Sequence, residues 1–375
     1  LENAVNGKYV NPFSGNFAGN GHTVTIEPGG KAIFGLVRRA TIENLKIYGK
    51  DIDGSAVING YFTDYGTTGI YNNADICWTV KIDNVTLLSG SHTSASGFMR
   101  GSGSGVNRVW ITNSVVEEGV VIGQADTGTA NASFISQLNG SLENCVSYAT
   151  VYGTGGLAAT KGQTIGPCSI QNSAFLGTLI SKSYAGGILG SGYGFRGFDE
   201  ETGHAIPDKS APNTPVPTIR NCYVAADISG QYMVGGILGG DPSIEECWSN
   251  GVGSIANNHF YGTIKLTGRG DAGGIIGYVR GYDRWQNYHN NYYNEDCGVT
   301  SGIGAINNII YQDGTPQGDK YGLAEELIID KICTPVTKSA YTDGTLVEKL
   351  NSTDTSLKNW VQGEFYPVLS DKTIV

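Results

Sequence analysis

A short phrase containing asparagine recurs along the chain at nearly constant intervals. It consists of Ile or Leu, any residue, Asn, and then a small or apolar residue, and it occurs at 42–45, 82–85, 111–114, 142–145, 170–173 and 219–222. Asn84 and Asn113 are 29 residues apart, Asn113 and Asn144 are 31 apart, and Asn144 and Asn172 are 28 apart. Repeats of this length without helical spacing of apolar residues indicate a solenoid whose rungs are strands.

The asparagine and the residue after it fit a corner between two strands. Asn tolerates the left-handed backbone conformation that a corner requires, and stacked copies can bond amide to amide. The following residue is expected to point inward. A degenerate copy at 244–247 extends this inward series, which comprises Leu45, Val85, Ser114, Cys145, Ser173, Cys222 and Cys247.

We therefore predict an all-β chain, folded as a right-handed parallel β-helix with loop insertions and a C-terminal cap. A single elongated domain buries its core continuously, so the length of 375 residues does not require two domains. We place the coil at residues 1–320 and the capping segment at 321–375. The apolar run 365–369 is expected to cover the open end of the coil, since an uncovered sheet edge promotes aggregation.

The seven cysteines are predicted to form few or no disulfides. Cys145, Cys222 and Cys247 take the inward position, where a free thiol packs as a small apolar group. The others show no spacing typical of a zinc site, and no metal site is predicted from them. A bridge between Cys297 and Cys333 remains open at this point.

Charge and hydropathy narrow the classes of partner. The formal net charge is −10, and nothing gathers Lys and Arg into a basic patch, which argues against nucleic acid. No apolar run approaches the length needed to span a bilayer, so membrane insertion is not expected. The chain shows neither a signal peptide nor an initiator Met, and we expect it to be a piece of a longer protein.

The opening rungs carry a recognisable set of motifs. Phe13 and Phe17 precede Gly-Asn-Gly-His-Thr at 19–23 and Phe-Gly-Leu at 34–36, and Gly-Gly-Ile-Leu-Gly follows at 235–239. This combination resembles the β-helical regions with GLUG-type repeats found in large bacterial surface proteins. The resemblance implies an extracellular position at the bacterial cell surface. It does not define one activity, because such repeats accompany adhesins, protease precursors and carbohydrate-active proteins.

A long insertion interrupts the repeat after Asn172. Asn221 follows it by 49 residues, which is 20 more than the 29-residue interval. Loops on a rigid scaffold often carry function, and this one holds aromatic and basic residues. We select Tyr193, Phe195, Arg196 and Phe198 as candidate ligand-binding residues, with a solvated loop without a task as the alternative.

A second irregular stretch follows residue 280 and is rich in aromatic residues. Exposed aromatic rings among carboxylates and amides suit sugars, because a ring covers the apolar face of a pyranose. Tyr282, Arg284, Trp285 and Tyr288 are the candidates here. The alternative applies to Tyr292 and Tyr293, which could belong to a rung with 290–291 as its corner.

An enzymatic function would require paired carboxylates. Asp199, Glu200, Asp271 and Asp283 could supply such a pair for glycoside hydrolysis, which needs two carboxyl groups flanking a cleft. A lyase would instead use Asp clusters, for which calcium is a possible cofactor. No other cofactor is predicted.

The leading hypothesis is an extracellular, adhesin-like bacterial β-helix module, part of a larger surface protein, whose loops bind a glycan or another cell-surface ligand. A β-helical glycoside hydrolase or polysaccharide lyase is the alternative, and a structural stalk without a ligand is the third possibility.

Overall fold

The structure is a computed structural model. It describes residues 13–35, 37–59, 79–101, 108–125, 128–161, 168–192, 195–198, 205–207, 217–241, 254–280, 288–307, 309–312, 315–319, 332–352 and 359–370. Most of these residues lie in or between short strands, and the large sheets pair in parallel. The predicted all-β parallel class is therefore confirmed.

The largest sheet has 17 strands and turns through a corner at each rung. The strands Val37–Tyr48 and Thr79–Leu87 run through the corner. The other rungs have one strand on each side of it. The strands before the corner are Phe13–Ala18, Arg108–Thr112, Gly140–Glu143, Cys168–Gln171, Thr218–Arg220, Ile255–Ala256 and Tyr288–His289. Those after it are Thr23–Thr25, Val115–Val116, Val146–Ser147, Ala174–Phe175, Tyr223–Val224, His259–Phe260, Asn291–Asn294 and Cys333–Val336.

Three further parallel sheets complete the rungs. One contains His92–Thr93, Val121–Ile122, Thr150–Tyr152, Thr178–Ile180, Asp227–Gly230 and Thr263–Leu266. A second contains Ile135–Leu138, Ala158–Lys161, Leu189–Ser191, Leu238–Asp241, Ile276–Arg280 and Ile303–Asn307. A small third sheet consists of Ala185–Gly186, Val234–Gly235 and Ala272–Gly273. Each strand pairs with its counterpart in the next rung, and this arrangement is solenoid-like.

The six asparagine corners of the predicted repeat occur, and Asn257 and Asn290 form two more. Asn44, Asn84, Asn113, Asn144, Asn172, Asn221, Asn257 and Asn290 all have φ between 49° and 59°. Amide-to-amide bonds join several of them, from Asn84 Nδ2 to Asn44 Oδ1 at 2.8 Å and from Asn221 Nδ2 to Asn172 Oδ1 at 2.7 Å. The corner at Asn290 also shows that Tyr292 and Tyr293 belong to a rung.

One corner differs from the sequence prediction. Ile219 pairs with Ile255, so the rung after Asn221 turns at Asn257 and not at the degenerate copy 244–247. Cys247 and Cys77 lie outside the described residues. Asn258 takes the inward position that had been predicted for Cys247 and is fully buried.

The inward column contains free thiols. Cys145 and Cys222 are fully buried, and burial raises the pKa of each thiol to about 12. Cys297 and Cys333 are also buried and free, so the bridge considered between them is not formed.

Glycines allow neighbouring rungs to stack closely at a second position, away from the asparagine corner. A Cβ on Gly187 would collide with Gly236 O and lie 2.8 Å from both Cγ atoms of Val224. Gly156 and Gly236 are enclosed in the same way, each against the carbonyl of the next rung. Leu157, Ile188 and Ile237, which follow these glycines, are fully buried in the core.

The described part of the C-terminal segment packs on the side of the coil, a position that the sequence did not predict. Cys333–Val336 continues the main sheet by pairing with Asn291–Asn294, so parallel pairing extends past residue 320. The chain then forms the 3-10 helix Lys338–Tyr341, the α-helix Thr345–Asn351 and the antiparallel strands Trp360–Gln362 and Pro367–Leu369. We call the described residues 338–352 and 359–369 the strap.

The strap packs against the flank of the coil, across several rungs. Its residues Tyr341, Leu346, Leu350, Trp360 and Leu369 form one apolar cluster with outward-facing residues of the main sheet, namely Val146, Ala174, Tyr223 and Tyr292. Phe365, from the apolar run expected at the end, is 57% exposed. The reason is that these rungs carry apolar residues on their outer side as well as their inner side, and the strap covers that outer side.

The glycine column yields a stability prediction. Gly187→Ala should lower the free energy of unfolding by about 1–3 kcal/mol, because the new methyl group has no space beside Gly236 O and Val224. Gly128→Ala is the matched control, since its Cβ would meet only Lys182 Cβ at 3.9 Å. Chemical denaturation monitored by circular dichroism measures both. Equal stability of the two variants would contradict the close stacking.

The inward column yields a second prediction. Cys145 and Cys222 should resist a thiol reagent at pH 7.5 in the native protein, because burial keeps them protonated and inaccessible. Both should react once the protein is unfolded in denaturant. Peptide mapping by mass spectrometry identifies the modified sites. Rapid modification of either thiol in folded protein would show that this column does not face the core.

Candidate functional site

Several of the predicted site residues lie outside the described residues. These are Tyr193, Asp199, Glu200, Tyr282, Asp283, Arg284 and Trp285. Phe195, Arg196 and Phe198 belong to a strand, Phe195–Phe198, that pairs antiparallel with Ala205–Pro207. The insertion after Asn172 thus contains a small hairpin. The binding roles of these residues stay predictions.

Two predicted residues have a described environment. Tyr288 is 4% exposed and belongs to the core cluster inside the coil, so it is a core residue and not part of an exposed aromatic group. Asp271 is half-buried in the turn before Ala272–Gly273, where its backbone N–H donates to Tyr232 O at 3.0 Å. Asp271 is the one predicted carboxylate whose surroundings are described, and it lies between two strands of one rung.

The described residues contain a different group of exposed side chains, on the outer face of the main sheet before the corner. Alternation along each strand defines this face. Ile111, two positions before Asn113, is fully buried, whereas Trp110, three positions before it, is 38% exposed. Trp110 is among the few large apolar side chains left exposed in the described residues.

Charged residues surround Trp110 because the rungs pair in register. Lys81 pairs with Trp110 and Ser141 follows it in the next rung, while Asp83, Thr112 and Glu143 form the adjacent column. Arg108 lies two positions earlier on the same strand and therefore on the same face. Neighbouring rungs are about 4.8 Å apart, so these side chains are within reach of one ligand. We call Lys81, Asp83, Arg108, Trp110, Thr112, Ser141 and Glu143 the tryptophan face.

Hydrogen bonds fix part of this face. Asp83 Oδ1 accepts from Thr112 Oγ1 at 2.6 Å and from Asn113 Nδ2 at 2.7 Å. Asn113 therefore bonds to Asp83 where other corners bond to the preceding asparagine. These two bonds hold the Asp83 carboxylate in one orientation.

A cation lies beside the aromatic ring. Lys81 Nζ is 5.2 Å from the centroid of the Trp110 ring, within the range of a cation–π contact. Lys81 and Arg108 carry positive charge near one part of the ring, and Asp83 and Glu143 carry negative charge in the neighbouring column. The face therefore offers a flat apolar surface bordered by donors, acceptors and both signs of charge.

The sequence contained the signal for this face, although Trp110 was not selected from it. Once Asn113 is known to be a corner with an inward residue after it, counting back three positions places Trp110 outside. The binding residues were predicted in irregular loops, whereas Trp110 lies in a regular strand.

Two general features of the described chain bear on its partners. In the part of the chain that the structure describes, no helix is long and apolar enough to cross a membrane. Among the same residues, no group of three or more His, Cys, Asp or Glu side chains is arranged to hold a metal ion. Calcium stays a prediction that rests on the lyase alternative.

Comparison with known proteins does not assign the chain to a family. No protein-family model matches it, and neither a curated protein nor a solved structure shows a significant match.

Proposed function

We propose that this chain is a glycan-binding module, folded as a right-handed parallel β-helix, that belongs to an adhesin-like bacterial cell-surface protein. The observation that carries the binding proposal is the exposed ring of Trp110 at the centre of a regular, rigid sheet face. Exposing an indole to water is unfavourable, so a ligand that covers it gains the free energy of burying that surface. The cell-surface position and the GLUG family are supported by the sequence resemblance alone.

The chemistry of the tryptophan face favours a sugar. A pyranose presents a patch of C–H groups that packs on an aromatic ring, and its hydroxyl groups bond to nearby polar side chains. Ser141, Asp83 and Glu143 supply acceptors within one or two rungs of the ring. Because the face extends over several stacked rungs, it suits a linear saccharide better than a compact small molecule, which would require a pocket.

Lys81 and Arg108 favour an acidic sugar over a neutral one. A carboxylate on the ligand would replace water around two cations without leaving them unpaired. Asp83 and Glu143 lie in the column next to that of Lys81 and two columns from that of Arg108, so they meet the hydroxyl groups of the same saccharide. We infer that the ligand is a linear acidic glycan.

A second function, hydrolysis, is weaker on this face. Asp83 and Glu143 lie in one column two rungs apart, about 10 Å between their backbones, which approaches the separation of inverting glycosidases. An open sheet does not exclude water from a reacting bond as a cleft does. Analysis of products after incubation with any bound glycan distinguishes this alternative from binding.

The proposal predicts the effect of removing the indole. On a glycan array that includes neutral and acidic linear oligosaccharides, Trp110→Ala should weaken binding at least tenfold, about 1.4 kcal/mol. Stability should change by no more than about 0.5 kcal/mol, since the ring is on the surface. Phe365→Ala is the matched control, because Phe365 is a more exposed aromatic residue on the strap. Equal binding by both variants would rule out the tryptophan face as the site.

The preference for an acidic ligand has its own test. Lys81→Gln should reduce affinity for acidic oligosaccharides several-fold, leave neutral ones unchanged, and weaken the dependence of binding on salt concentration. Lys182→Gln is the control, since Lys182 lies beside Tyr152 and Ile180, outside the tryptophan face. Isothermal titration at two salt concentrations gives both quantities. If Lys81→Gln affects neutral and acidic ligands equally, the lysine contributes packing and not charge recognition.

A further inference from the structure

The strap covers a column of outward-facing residues two positions after each corner. This column begins with the exposed or half-buried polar residues Lys46 and Thr86 and becomes apolar where the strap lies on it. The covered members are Val115, Val146, Ala174, Tyr223, His259 and Tyr292. His259 is therefore an ionisable residue in the middle of an otherwise apolar contact between strap and coil.

His259 is fully enclosed in that contact. Its ring stacks on Tyr223 with 5.4 Å between centroids, and strap residues Trp360 and Tyr341 lie 5.1 Å and 5.7 Å from it. Its Nε2 is 2.8 Å from Pro367 O, and because a carbonyl only accepts, Nε2 carries the hydrogen. Nδ1 then holds a lone pair, and this buried atom has no hydrogen-bond partner. The imidazole is thus held in its neutral form.

The groups that face His259 do not compensate a positive charge. From the coil these are Tyr223 and Tyr292, and from the strap they are Tyr341, Trp360 and Tyr366. Burial raises the pKa values of Tyr223, Tyr341 and Tyr366, so these phenols stay neutral. Lys349, a cation of the strap, has its Nζ 5.7 Å from the Tyr292 ring. A proton on Nδ1 would be buried among aromatic rings.

Two other strap contacts are made by groups that do not take up a proton between about pH 8 and 5. Tyr341 OH donates to Phe260 O at 2.6 Å. With its amide turned to face the strap, Asn257 donates to Leu350 O at 2.8 Å and accepts from Trp360 Nε1 at 3.0 Å. None of these groups gains a proton in mild acid, whereas the imidazole of His259 can.

We propose that the strap is an acid-sensitive cover, released from the flank of the coil when His259 takes up a proton. Release uncovers the aromatic outer column around Tyr223 and Tyr292 while the coil itself, held by its rung-to-rung pairing and internal core, stays folded. The strap thereby gives the flank two states, one covered at neutral pH and one open in acid.

The direction of the pH effect follows from the two states of His259. Burial lowers the pKa of the imidazole from 6.5 to about 3, whereas in the released strap it returns to its ordinary value. The docked strap is therefore fully stabilised above pH 6.5 and loses stability as the pH falls from 6.5 towards 3. At pH 5.0 the equilibrium constant for release should be about thirtyfold larger than at pH 8, since it rises tenfold per pH unit below 6.5.

Hydrogen exchange of the whole chain tests this at pH 8.0, 6.5, 5.5 and 5.0, where Asp and Glu remain mostly ionised. Protection factors, corrected for the pH dependence of intrinsic exchange, should fall about thirtyfold in peptides from the strap between pH 8.0 and 5.0. Peptides from the coil strands 168–192 should keep their protection. Unchanged strap protection, or loss of protection in strap and coil together, would overturn the proposal.

Two substitutions at His259 separate its titration from its packing. His259→Gln retains a donor for Pro367 O, and His259→Phe retains the aromatic contacts, but neither takes up a proton in this range. Strap protection in both should be independent of pH between 8.0 and 5.0. His289→Gln is the matched control, because His289 is exposed on a neighbouring rung, and it should behave as the unmodified chain does.

The result does not depend on the variants folding. If both His259 variants fail to fold, the difference between strap and coil in the unmodified chain still supports or overturns the proposal. If they fold and their strap loses protection in acid as much as the unmodified chain does, another group controls release and the assignment to His259 is wrong.

Discussion

The left-handed corner at asparagine is the constraint on which the rest of this structure depends. Positive φ raises the free energy of a residue that has a side chain. The increase is smaller for Asn than for most residues, because its short side-chain amide can form a local hydrogen bond. Eight rungs adopt φ between 49° and 59° at this position, and strands on both sides of the corner pair in register across them. Because side chains alternate along a strand, the corner determines which residues face the core and which face outward.

The corner also explains polar residues inside the coil. At several corners, the N–H of the residue after the asparagine donates to a side chain of the next rung. Ser114 Oγ accepts from Val85 N at 3.2 Å, Ser173 Oγ from Cys145 N at 3.1 Å, and Asn258 Oδ1 from Cys222 N at 2.9 Å. The inward column is therefore not only a set of small fillers. Its polar members satisfy buried backbone donors that would otherwise be costly.

The sequence predicted the fold class well because the repeat itself is periodic. The intervals between asparagines gave the rung length, and the residue after each asparagine gave the inside of the coil at Leu45, Val85 and Cys145. The register was lost after Asn221, where 36 residues separate it from the next corner at Asn257. Ile244–Cys247 resembled the phrase more closely in spacing, but Asn257 has the amide that the left-handed corner favours.

The position of the strap was not predictable from the rungs taken one at a time. Val146, Ala174, Tyr223 and Tyr292 are spread over the sequence between 146 and 292, and their common outer column exists only once the rungs are stacked. The apolar C-terminal run 365–369 was expected to cover the end of the coil, and its Leu369 packs on the flank. The exposed sheet edge suggested the end of the coil, whereas the described strap residues pack on the apolar outer column of the flank.

The candidate site was missed for a related reason. Function was sought in insertions, since loops vary freely, and the predicted residues Tyr282 and Trp285 follow that logic. Trp110 lies in a regular strand whose neighbours in sequence, Val109 and Ile111, are core residues. Its significance depends on Lys81 and Glu143, which are distant in sequence and adjacent only through the pairing of three rungs.

The two outer faces of the main sheet show how one chain treats similar surfaces differently. After the corner, aromatic and apolar side chains accumulate over several rungs, and the chain itself covers them, leaving Tyr223 2% exposed. Before the corner, Trp110 is 38% exposed, although Val115 in the same rung packs against the covered cluster. Covering an indole would stabilise the fold by the same hydrophobic effect that holds the strap. Because the face before the corner bears charged residues in every neighbouring column, an apolar strap would leave those charges buried and unpaired. A ligand that carries its own hydroxyl and carboxylate groups can cover the ring and pair with them, which is why the charges and the open tryptophan belong to one site.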